Sequence, residues 1–257
     1  MLFRSFSDWD AESEVSRFSR TSQSGQSFAL SAELSEILSF SQRLAHKSNG
    51  AFDVTIGPLS RLWRMARHQK KVPDSDKVQA ALKRTGYQKL QINESNTSGR
   101  LTTPGMVLDL GGVAKGYIAD QMLRVMKEKG FPRCLIDAGG DLTIGDPPRA
   151  CKGWKVSVGG IANTIIPSLE LSNCAVATSG DMEQFLEFGG KRFSHLIDPR
   201  TGFGVEGKRQ VTVIAENGMT ADAYASTCLI LGASKAGSLL SELSYFRIFY
   251  LTENDLS

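Results

Sequence analysis

Features that would assign this sequence to several broad protein classes are missing. Its 257 residues include four cysteines, Cys134, Cys151, Cys174 and Cys228, and none forms a Cys-x-x-Cys pair. The sequence therefore predicts neither a zinc knuckle nor a dithiol redox motif, and cysteine is too sparse for a disulfide framework. No apolar run reaches the length of a membrane-spanning helix, and the N-terminus contains no signal-peptide core.

An excess of charge of one sign is missing too. The chain has 30 basic and 27 acidic residues, a net charge of +3, which gives no support for nucleic acid as a partner. The basic run at 64–71 follows a helical pattern, and we interpret it as the solvated end of a helix. With 41% hydrophobic residues, the composition is typical of a soluble globular protein. We expect a cytoplasmic protein as given, with a periplasmic or cell-envelope lipoprotein that has lost its leader as the alternative.

Three common catalytic motifs do not occur: the Gly-x-Ser-x-Gly elbow, the His-Glu-x-x-His pair and the Walker loop. Residues 202–207 match the Gly-x-Gly-x-x-Gly pattern of dinucleotide-binding proteins. That pattern needs a strand before it and a helix after it. Here a turn containing Pro199 precedes it and the strand-like segment 210–214 follows, so we interpret the match as coincidental.

Helical patterns dominate the first third of the chain, strands the middle, and a helix pair lies near the end. Helices are predicted over 34–49, after 58, and over 73–84, 113–129, 222–231 and 234–243. Strands are predicted over 87–92, 107–110, 134–136, 154–158, 169–171, 175–178, 192–197, 211–215 and 246–251. The serine-rich segment 16–27 is predicted to be a loop or a frayed helix edge. This order predicts an α+β fold, with mixed sheets and flanking helices, rather than a regular βαβ alternation.

The segment 107–117 is the most informative part of the chain. It joins an apolar strand to a helix through Asp109 and the glycines Gly111 and Gly112. Glycine lets backbone approach a ligand closely, and a helix start offers N–H groups and partial positive charge to an anion. Lys115 adds a full charge in the first turn. Two interpretations stay open: a binding site for a phosphorylated ligand, or a structural strand–turn–helix connection with a surface lysine.

Polar residues gather at other strand and helix ends. His195 ends a predicted strand, where its near-neutral pKa suits a general acid or base, with bonding to local backbone as the alternative. Asp222 and Ser226 stand four residues apart and share a helix face. Their oxygens, with a nearby carbonyl, are ligands that Mg²⁺ accepts, whereas a helix-dipole role would explain Asp222 alone. Segments 136–141 and 177–181 are either ligand-facing loops or hairpin turns.

Six short segments of the sequence occur in the same order as the motifs of one known family. They are 51–59, 108–117, 137–141, 177–181, 195–202 and 220–226. Each is weak alone, but the ordered set closely resembles the ApbE-like flavin transferases, from about Trp9 to the C-terminus. The resemblance implies the ApbE-like fold as a single domain over residues 1–257, with two lobes as a possible organisation.

The resemblance also implies a reaction. FMN is transferred from FAD, the substrate, to a threonine or serine hydroxyl of a target flavoprotein, with Mg²⁺ as cofactor and AMP as the leaving product. One alternative is a Mg²⁺-dependent FAD pyrophosphatase, in which water attacks and FMN and AMP are released. Another is an FAD-binding protein without catalytic activity. The oligomeric state is left open.

Roles carry over from the family residue by residue. The flavin-binding positions implied are Trp9, in the place of an aromatic that stacks on FAD, and Ala51, Phe52, Asp53, Asp109, Lys115, Leu196 and Ile197. The magnesium ligands implied are the backbone carbonyl of Gly112 and the side chains of Asp222 and Ser226. His195 and Asp222 are both candidates for the base that activates the acceptor hydroxyl, and the sequence does not choose between them.

Two departures from the family pattern stand out. The family usually begins with a β-strand whose methionine- and threonine-containing segment touches FAD, and this sequence starts downstream of it. We therefore expect one strand and one side of the flavin site to be missing from the chain as given. Ser226 stands where the family usually has threonine. Because a hydroxyl is retained, we expect magnesium binding to survive with a freer rotamer.

Overall fold

The computed structural model describes residues 5–93, 95, 97–158, 168–180, 185–241, 243 and 246–252. The chain divides into two compact units. The first is Met1–Gly112 with Gln184–Gly207, and the second is Val113–Glu183 with Lys208–Ser257. The chain therefore passes from the first unit to the second directly after Gly112.

Helices and two small antiparallel sheets make up the described part of the first unit. The helices are α1 (Glu14–Arg20), α2 (Ala32–Lys47), α3 (Gly57–Gln69) and α4 (Ser75–Leu82), with short 3-10 helices at Thr21–Gln23 and Tyr87–Lys89. The first sheet has the order β1 (Phe28–Ala29), β3 (Ser98–Leu101), β2 (Leu90–Asn93). The second has the order β11 (Gly204–Glu206), β10 (Lys191–Ile197), β9 (Phe185–Phe188).

One hydrophobic cluster of the first unit packs α3 and α4 against β9 and β10. Its buried residues are Leu59, Trp63, Ala66, Val78, Ala81, Leu186, Phe193 and Ile197. Trp63 is fully buried and its indole N–H donates to the carbonyl of Gly202 at 2.8 Å. This bond anchors the turn between β10 and β11 to α3. The strand that carries His195 is thereby held against a helix of the same unit.

A five-stranded antiparallel sheet forms the centre of the second unit. Its order is β13 (Phe246–Thr252), β12 (Arg209–Ala215), β8 (Cys174–Gly180), β5 (Leu142–Ile144), β4 (Leu135–Asp137). A separate hairpin pairs β6 (Trp154–Val156) with β7 (Leu169–Leu171). The helices are α5 (Ala114–Glu128), α6 (Gly218–Leu231) and α7 (Ala233–Leu240).

Helix α6 is the buried element of this unit. It packs against β8 and β12 on one side and against α5 on another, and its residues are apolar or small around most of its circumference. A helix that is apolar all round is typical of a protein core. The buried polar side chains of this helix, Asp222, Ser226 and Thr227, each need a partner, and Thr227 finds one within the helix, in the carbonyl of Ala223.

The predicted α+β class is confirmed, and the segment 202–207 forms a turn and β11, followed by another strand rather than by a helix. The predicted strand at 107–110 was wrong. Val107 makes only an isolated parallel bridge to Ile56, because the segment that contains Ile56 turns into α3 at Gly57. The backbone of this segment instead bonds partly to side chains, as when Leu108 N–H donates to Ser19 Oγ at 3.0 Å.

Two other element predictions need correction. The segment 16–27, predicted to be a loop or a frayed helix edge, contains most of α1 and a 3-10 turn, because Ser13 caps the helix by accepting a hydrogen bond from Ser16 N–H at 2.9 Å. The predicted strand 87–92 begins with a 3-10 turn and becomes extended only at Leu90. Among the described helices, none is both long and apolar enough to cross a membrane.

Candidate active site

The start of α5 and the start of α6 lie in backbone contact. A Cβ atom at Gly116 would lie 2.0 Å from the carbonyl oxygen of Gly218, and one at Gly218 would lie 2.5 Å from the carbonyl oxygen of Gly116. Asp120 of α5 accepts hydrogen bonds from the N–H groups of Gly218 (2.6 Å) and Met219 (2.9 Å). This carboxylate satisfies N–H groups that a helix start leaves without helical partners, and it ties α6 to α5.

Asp222 lies in the second turn of α6 and reaches the start of α5. Its Oδ2 accepts a hydrogen bond from the N–H of Gly116 at 3.2 Å, and the residue is 4% exposed. Burial and, after it, the negative charge of Asp141 together raise the pKa of Asp222 to about 7, and Lys115 and the Gly116 N–H oppose the rise. A buried carboxylate that is so weakly compensated favours binding of a proton or a cation.

Lys115, in the first turn of α5, interacts with both carboxylates. Its Nζ lies 2.5 Å from Oδ2 of Asp141, which sits in the turn between β4 and β5. Burial disfavours the charge on Lys115, but Asp222 and Asp141 attract it, and its pKa lies above the ordinary value. Burial raises the pKa of Asp141, against the attraction of Lys115. The Lys115 side chain keeps 44% exposure, whereas that of Asp141 keeps 5%.

Ser226 follows Asp222 by one turn on the same face of α6. Its hydroxyl lies 2.9 Å from the hydroxyl of Ser179 on β8. No group of three His, Cys, Asp or Glu side chains suitable for a metal is found within the described ranges. Hydroxyl and carbonyl oxygens are further potential ligands for a hard cation. The carboxylate of Asp222 and the hydroxyl of Ser226 are hard oxygen donors, and this chemistry fits Mg²⁺. Gly112 is half-buried at the end of the first unit.

In the first unit, Arg64 of α3 is the centre of a cluster of polar residues. Its guanidinium lies 2.6 Å from Asp8 Oδ2 and 3.0 Å from Asp109 Oδ2. The guanidinium carbon of Arg64 also lies over the Trp9 ring, 4.6 Å from the centroid of that ring. Trp9 is 78% exposed. Asp109 Oδ1 also accepts a hydrogen bond from Gly111 N–H at 2.9 Å. The predicted flavin-binding residues Trp9 and Asp109 therefore meet at one arginine.

Ala51, Phe52 and Asp53 are all buried in the first unit. Asp53 Oδ1 accepts hydrogen bonds from the N–H (2.8 Å) and the hydroxyl (2.7 Å) of Thr55. The oxygen of that hydroxyl accepts in turn from Gly86 N–H at 2.8 Å. Burial raises the pKa of Asp53 from 3.8 to about 6, and its hydrogen bonds with Thr55 oppose the rise. The carboxyl of Asp53 thus organises the loop that leads into α3.

We expect Asp53→Asn to change how the stability of the protein depends on pH. Because the pKa of Asp53 is raised from 3.8 to about 6 by folding, the folded protein binds a proton more tightly than the unfolded chain. The free energy of unfolding that this group supplies is therefore greatest at low pH and falls as pH rises from about 4 to about 6, by up to about 3 kcal/mol. Urea unfolding of both proteins at pH 4 to 7 measures the effect.

The informative quantity in that experiment is the difference in unfolding free energy between Asp53→Asn and wild type. Asparagine has no charge to bury, so the difference should move in favour of the variant as pH rises. A difference that stays constant from pH 4 to 7 would contradict the raised pKa.

His195, Leu196 and Ile197 lie at the end of β10, where the pairing with β11 is irregular. Phe193 pairs with Glu206 and Ile197 pairs with Gly204, so the β10 side of the ladder has two extra residues. Such bulges re-aim side chains and often occur next to active sites. His195 and Leu196 are half-buried and Ile197 is buried. His195 lies within this irregular stretch, between the paired residues Phe193 and Ile197.

Comparison with known proteins identifies the family. The sequence profile of the ApbE family matches residues 2–249. The chain belongs to the ApbE family. It is 33% identical over 249 residues to the FAD:protein FMN transferase of Klebsiella pneumoniae strain 342, covering 93% of this chain and 70% of that relative. It is 32% identical over 238 residues to the FAD:protein FMN transferase of Escherichia coli K12, covering 90% of this chain and 68% of that protein.

Solved structures of ApbE proteins have the same fold. The flavin transferase ApbE from Vibrio cholerae superposes with a TM-score of 0.84 at 26% identity, over 99% of this chain and 82% of that one. The ApbE protein of Thermotoga maritima gives a TM-score of 0.87 at 27% identity, over 98% and 83%. The predicted family and the ApbE-like fold are therefore confirmed, and so is the prediction that the chain is an enzyme, since its relatives are named as transferases.

Sequence reasoning missed several polar residues of this ApbE chain. Arg64 was interpreted as part of a solvated helix end, and that was wrong for this residue, which pairs with carboxylates 56 and 45 positions away. No local pattern carries such distant contacts. Asp141 and Ser179 lie in segments that were noticed, but only the fold shows that they meet Lys115 and Ser226. Asp181, in the same motif as Ser179, lies outside the described residues.

Proposed function

We propose that this chain transfers FMN from FAD to a threonine or serine hydroxyl of a target flavoprotein, with Mg²⁺ and with release of AMP. The names of its ApbE relatives support the reaction class. The observation that carries the proposal on this chain is the network that Lys115, a partly exposed cation, makes with the buried carboxylates Asp141 and Asp222 at the start of α5 and α6. We further propose that the two units work together as one flavin transferase domain over residues 1–257.

The proposed reaction forms one phosphoester bond and breaks one phosphoanhydride bond. The acceptor hydroxyl oxygen attacks the phosphorus of the FMN half of FAD. The bond from that phosphorus to the bridging oxygen breaks, and AMP leaves with the electron pair. The hydroxyl proton passes to a base, for which His195 and Asp222 are the candidates. Phosphoryl transfer depends mainly on positioning of the reacting groups and on neutralisation of the phosphate charge. Cations neutralise that charge, and the oxygen ligands of the protein hold a metal cation in place.

We propose that the backbone carbonyl of Gly112 and the side chains of Asp222 and Ser226 hold Mg²⁺. Bound Mg²⁺ neutralises charge on a diphosphate and on its leaving group. Because Asp222 must be ionised to bind a cation, protonation and cation binding compete at this carboxylate. Lys115 contributes a further positive charge on a flexible stem, and its exposed fraction leaves it able to reach a phosphate.

We propose that Trp9 stacks on FAD and that Asp109, Ala51, Phe52, Asp53, Leu196 and Ile197 complete the flavin-binding residues. The arginine beneath Trp9 supports the stacking role. One face of the indole rests on the Arg64 guanidinium while most of the ring stays exposed, so the ring is held in place before a ligand arrives. Such preorganisation reduces the entropy lost on binding.

The test is to incubate the purified full-length chain with FAD, Mg²⁺ and an acceptor domain from a flavoprotein that carries phosphoester-linked FMN. We expect intact-mass spectrometry to show the gain of one FMN on a threonine or serine of the acceptor, with one AMP released for each FMN added. Binding of FAD without this mass gain would reject the transferase. AMP formation without any acceptor would indicate the pyrophosphatase, and retention of intact FAD would indicate a binding protein.

We expect Lys115→Ala to weaken FAD binding more than it weakens folding. Loss of a charge-assisted contact to phosphate should raise the dissociation constant for FAD about 10-fold. The variant also leaves Asp141 buried without its cation, so the double variant Lys115→Ala/Asp141→Asn separates the two effects. In that variant we expect the free energy of unfolding to change by less than about 1 kcal/mol, measured by urea unfolding, while FAD binding stays weak by fluorescence titration.

The control for this prediction is Lys77→Ala. Lys77 is exposed on α4 and pairs with Asp74, outside every proposed site. It should leave FAD affinity unchanged. If the double variant lost as much free energy of unfolding as free energy of FAD binding, Lys115 would have a structural role instead.

A further inference from the structure

We propose that Ser179 is a positioning residue for Ser226, and that its hydroxyl oxygen accepts a hydrogen bond from the Ser226 hydroxyl when that serine binds a divalent cation. This inference rests on the proposed function, because it takes Ser226 as a magnesium ligand. It adds a residue, Ser179, to which neither the sequence motifs nor the relatives' names assign a role.

The placement of Ser179 follows from the pleat of β8. Side chains alternate between the faces of a strand, so Ala175, Ala177 and Ser179 share one face. Helix α6 packs against β8, and the hydroxyls of Ser179 and Ser226 lie 2.9 Å apart. The other face carries Val176 of the apolar core and Thr178. Ser179 therefore supplies a hydroxyl at the point where small residues bring the strand close to α6.

The chemistry of a hydroxyl ligand explains why such a partner matters. A serine hydroxyl has one proton and two lone pairs. A lone pair that faces a cation requires the proton to point elsewhere, and the cation makes that proton a stronger donor. Ser226 is buried, which favours an acceptor supplied by the protein, and Ser179 Oγ lies at hydrogen-bonding distance. Partners of this kind typically change metal affinity by about 10- to 100-fold.

Serine at position 226 makes the partner more important. Serine has no β-branch, so its χ1 rotation is less restricted than that of threonine. The hydrogen bond to Ser179 selects one rotamer and thereby aims the lone pairs of Ser226. The geometry requires only an acceptor at position 179, so threonine there should serve as well as serine, whereas alanine should not.

The test measures Mg²⁺ affinity of the full-length chain without flavin, by competition against Mn²⁺ whose free concentration is counted by electron paramagnetic resonance. We expect Ser179→Ala to raise the apparent dissociation constant for Mg²⁺ about 10-fold. Ser226→Ala should raise it at least as much, and Ser179→Ala should add no further loss in the Ser226→Ala background. Ser179→Thr should remain within about twofold of wild type, because it retains the acceptor oxygen.

A matched control lies one residue away on the same strand. The hydroxyl of Thr178 pairs with that of Thr212 at 2.8 Å on the opposite face of β8. Thr178→Val removes a hydroxyl pair of the same kind without touching Ser226, and it should leave Mg²⁺ affinity within about twofold of wild type. Circular dichroism and urea unfolding check that every variant is folded.

The outcomes separate this inference from the proposed function. If Ser226→Ala weakens Mg²⁺ binding and Ser179→Ala does not, the role of Ser179 is wrong while Ser226 remains a ligand. If Ser179→Ala weakens binding equally with and without Ser226, it does not act through Ser226, and the inference is again wrong. If the wild-type chain binds no Mg²⁺ and transfers no FMN, the proposed function itself fails.

Discussion

Asp222→Asn is expected to lower the rate of Mg²⁺-dependent FMN transfer by about 100-fold or more while leaving the fold at least as stable as wild type. The substitution removes the carboxylate among the proposed magnesium ligands, and a neutral amide oxygen is a much weaker ligand for Mg²⁺. The amide keeps an oxygen that can accept the hydrogen bond from Gly116 N–H. Transfer is measured as acceptor mass gained per unit time, at several Mg²⁺ concentrations.

The stability part of this prediction follows from the electrostatics of the site. Burial raises the pKa of Asp222 to about 7, so the ionised carboxylate disfavours the folded state at higher pH. Asparagine removes that cost. At pH 8 the free energy of unfolding of Asp222→Asn, measured by urea unfolding, should therefore equal or exceed that of wild type. Normal transfer by Asp222→Asn would place the metal elsewhere, and a poorly folded variant would show that the charge of Asp222 is needed for structure.

Gly116→Ala is expected to reduce the free energy of unfolding by about 2–4 kcal/mol. A Cβ at this position would lie 2.0 Å from the carbonyl oxygen of Gly218 and 2.8 Å from the backbone nitrogen of Met219. Both are backbone atoms and cannot rotate away, so α5 and α6 must separate. Alanine favours a helix over glycine by about 1 kcal/mol, but this gain is smaller than the steric cost.

Separation of α5 and α6 should also disturb the site. It would lengthen the hydrogen bond from Gly116 N–H to Asp222, so Gly116→Ala should weaken Mg²⁺ binding as well as stability. Urea unfolding and Mn²⁺ competition measure the two effects on the same sample.

Gly237→Ala is the matched control for this substitution. Gly237 also lies inside a helix, α7, but a Cβ there would meet no atom within 4 Å. Helix propensity then acts alone, and the variant should be more stable than wild type by about 0.5–1 kcal/mol. The expected changes in the free energy of unfolding therefore have opposite signs at positions 116 and 237. A stabilising effect of Gly116→Ala would contradict the close approach of α5 and α6.

Local patterns in the sequence were sufficient for most of the helices and strands. Helices with an apolar stripe and a polar cap, such as α2, were predicted within a few residues, because periodicity and capping are encoded locally. The segment 107–110 failed because a strand needs a neighbour of matching length, and its neighbour turns into α3 after one bridge. The pairing of a short apolar segment is not encoded in that segment.

By itself, the sequence determined the α+β class, the ordered motifs of the ApbE family and the candidate residues of Mg²⁺ and FAD binding. Only the tertiary structure decided that Arg64 holds Trp9 and Asp109, that Asp141 pairs with Lys115, and that Ser179 meets Ser226. The physical reason is that caps, turns and amphipathic faces depend on residues a few positions apart. Ion pairs and hydrogen bonds between distant segments depend instead on where the backbone brings them, as the contact between Gly116 and Gly218 does for α5 and α6.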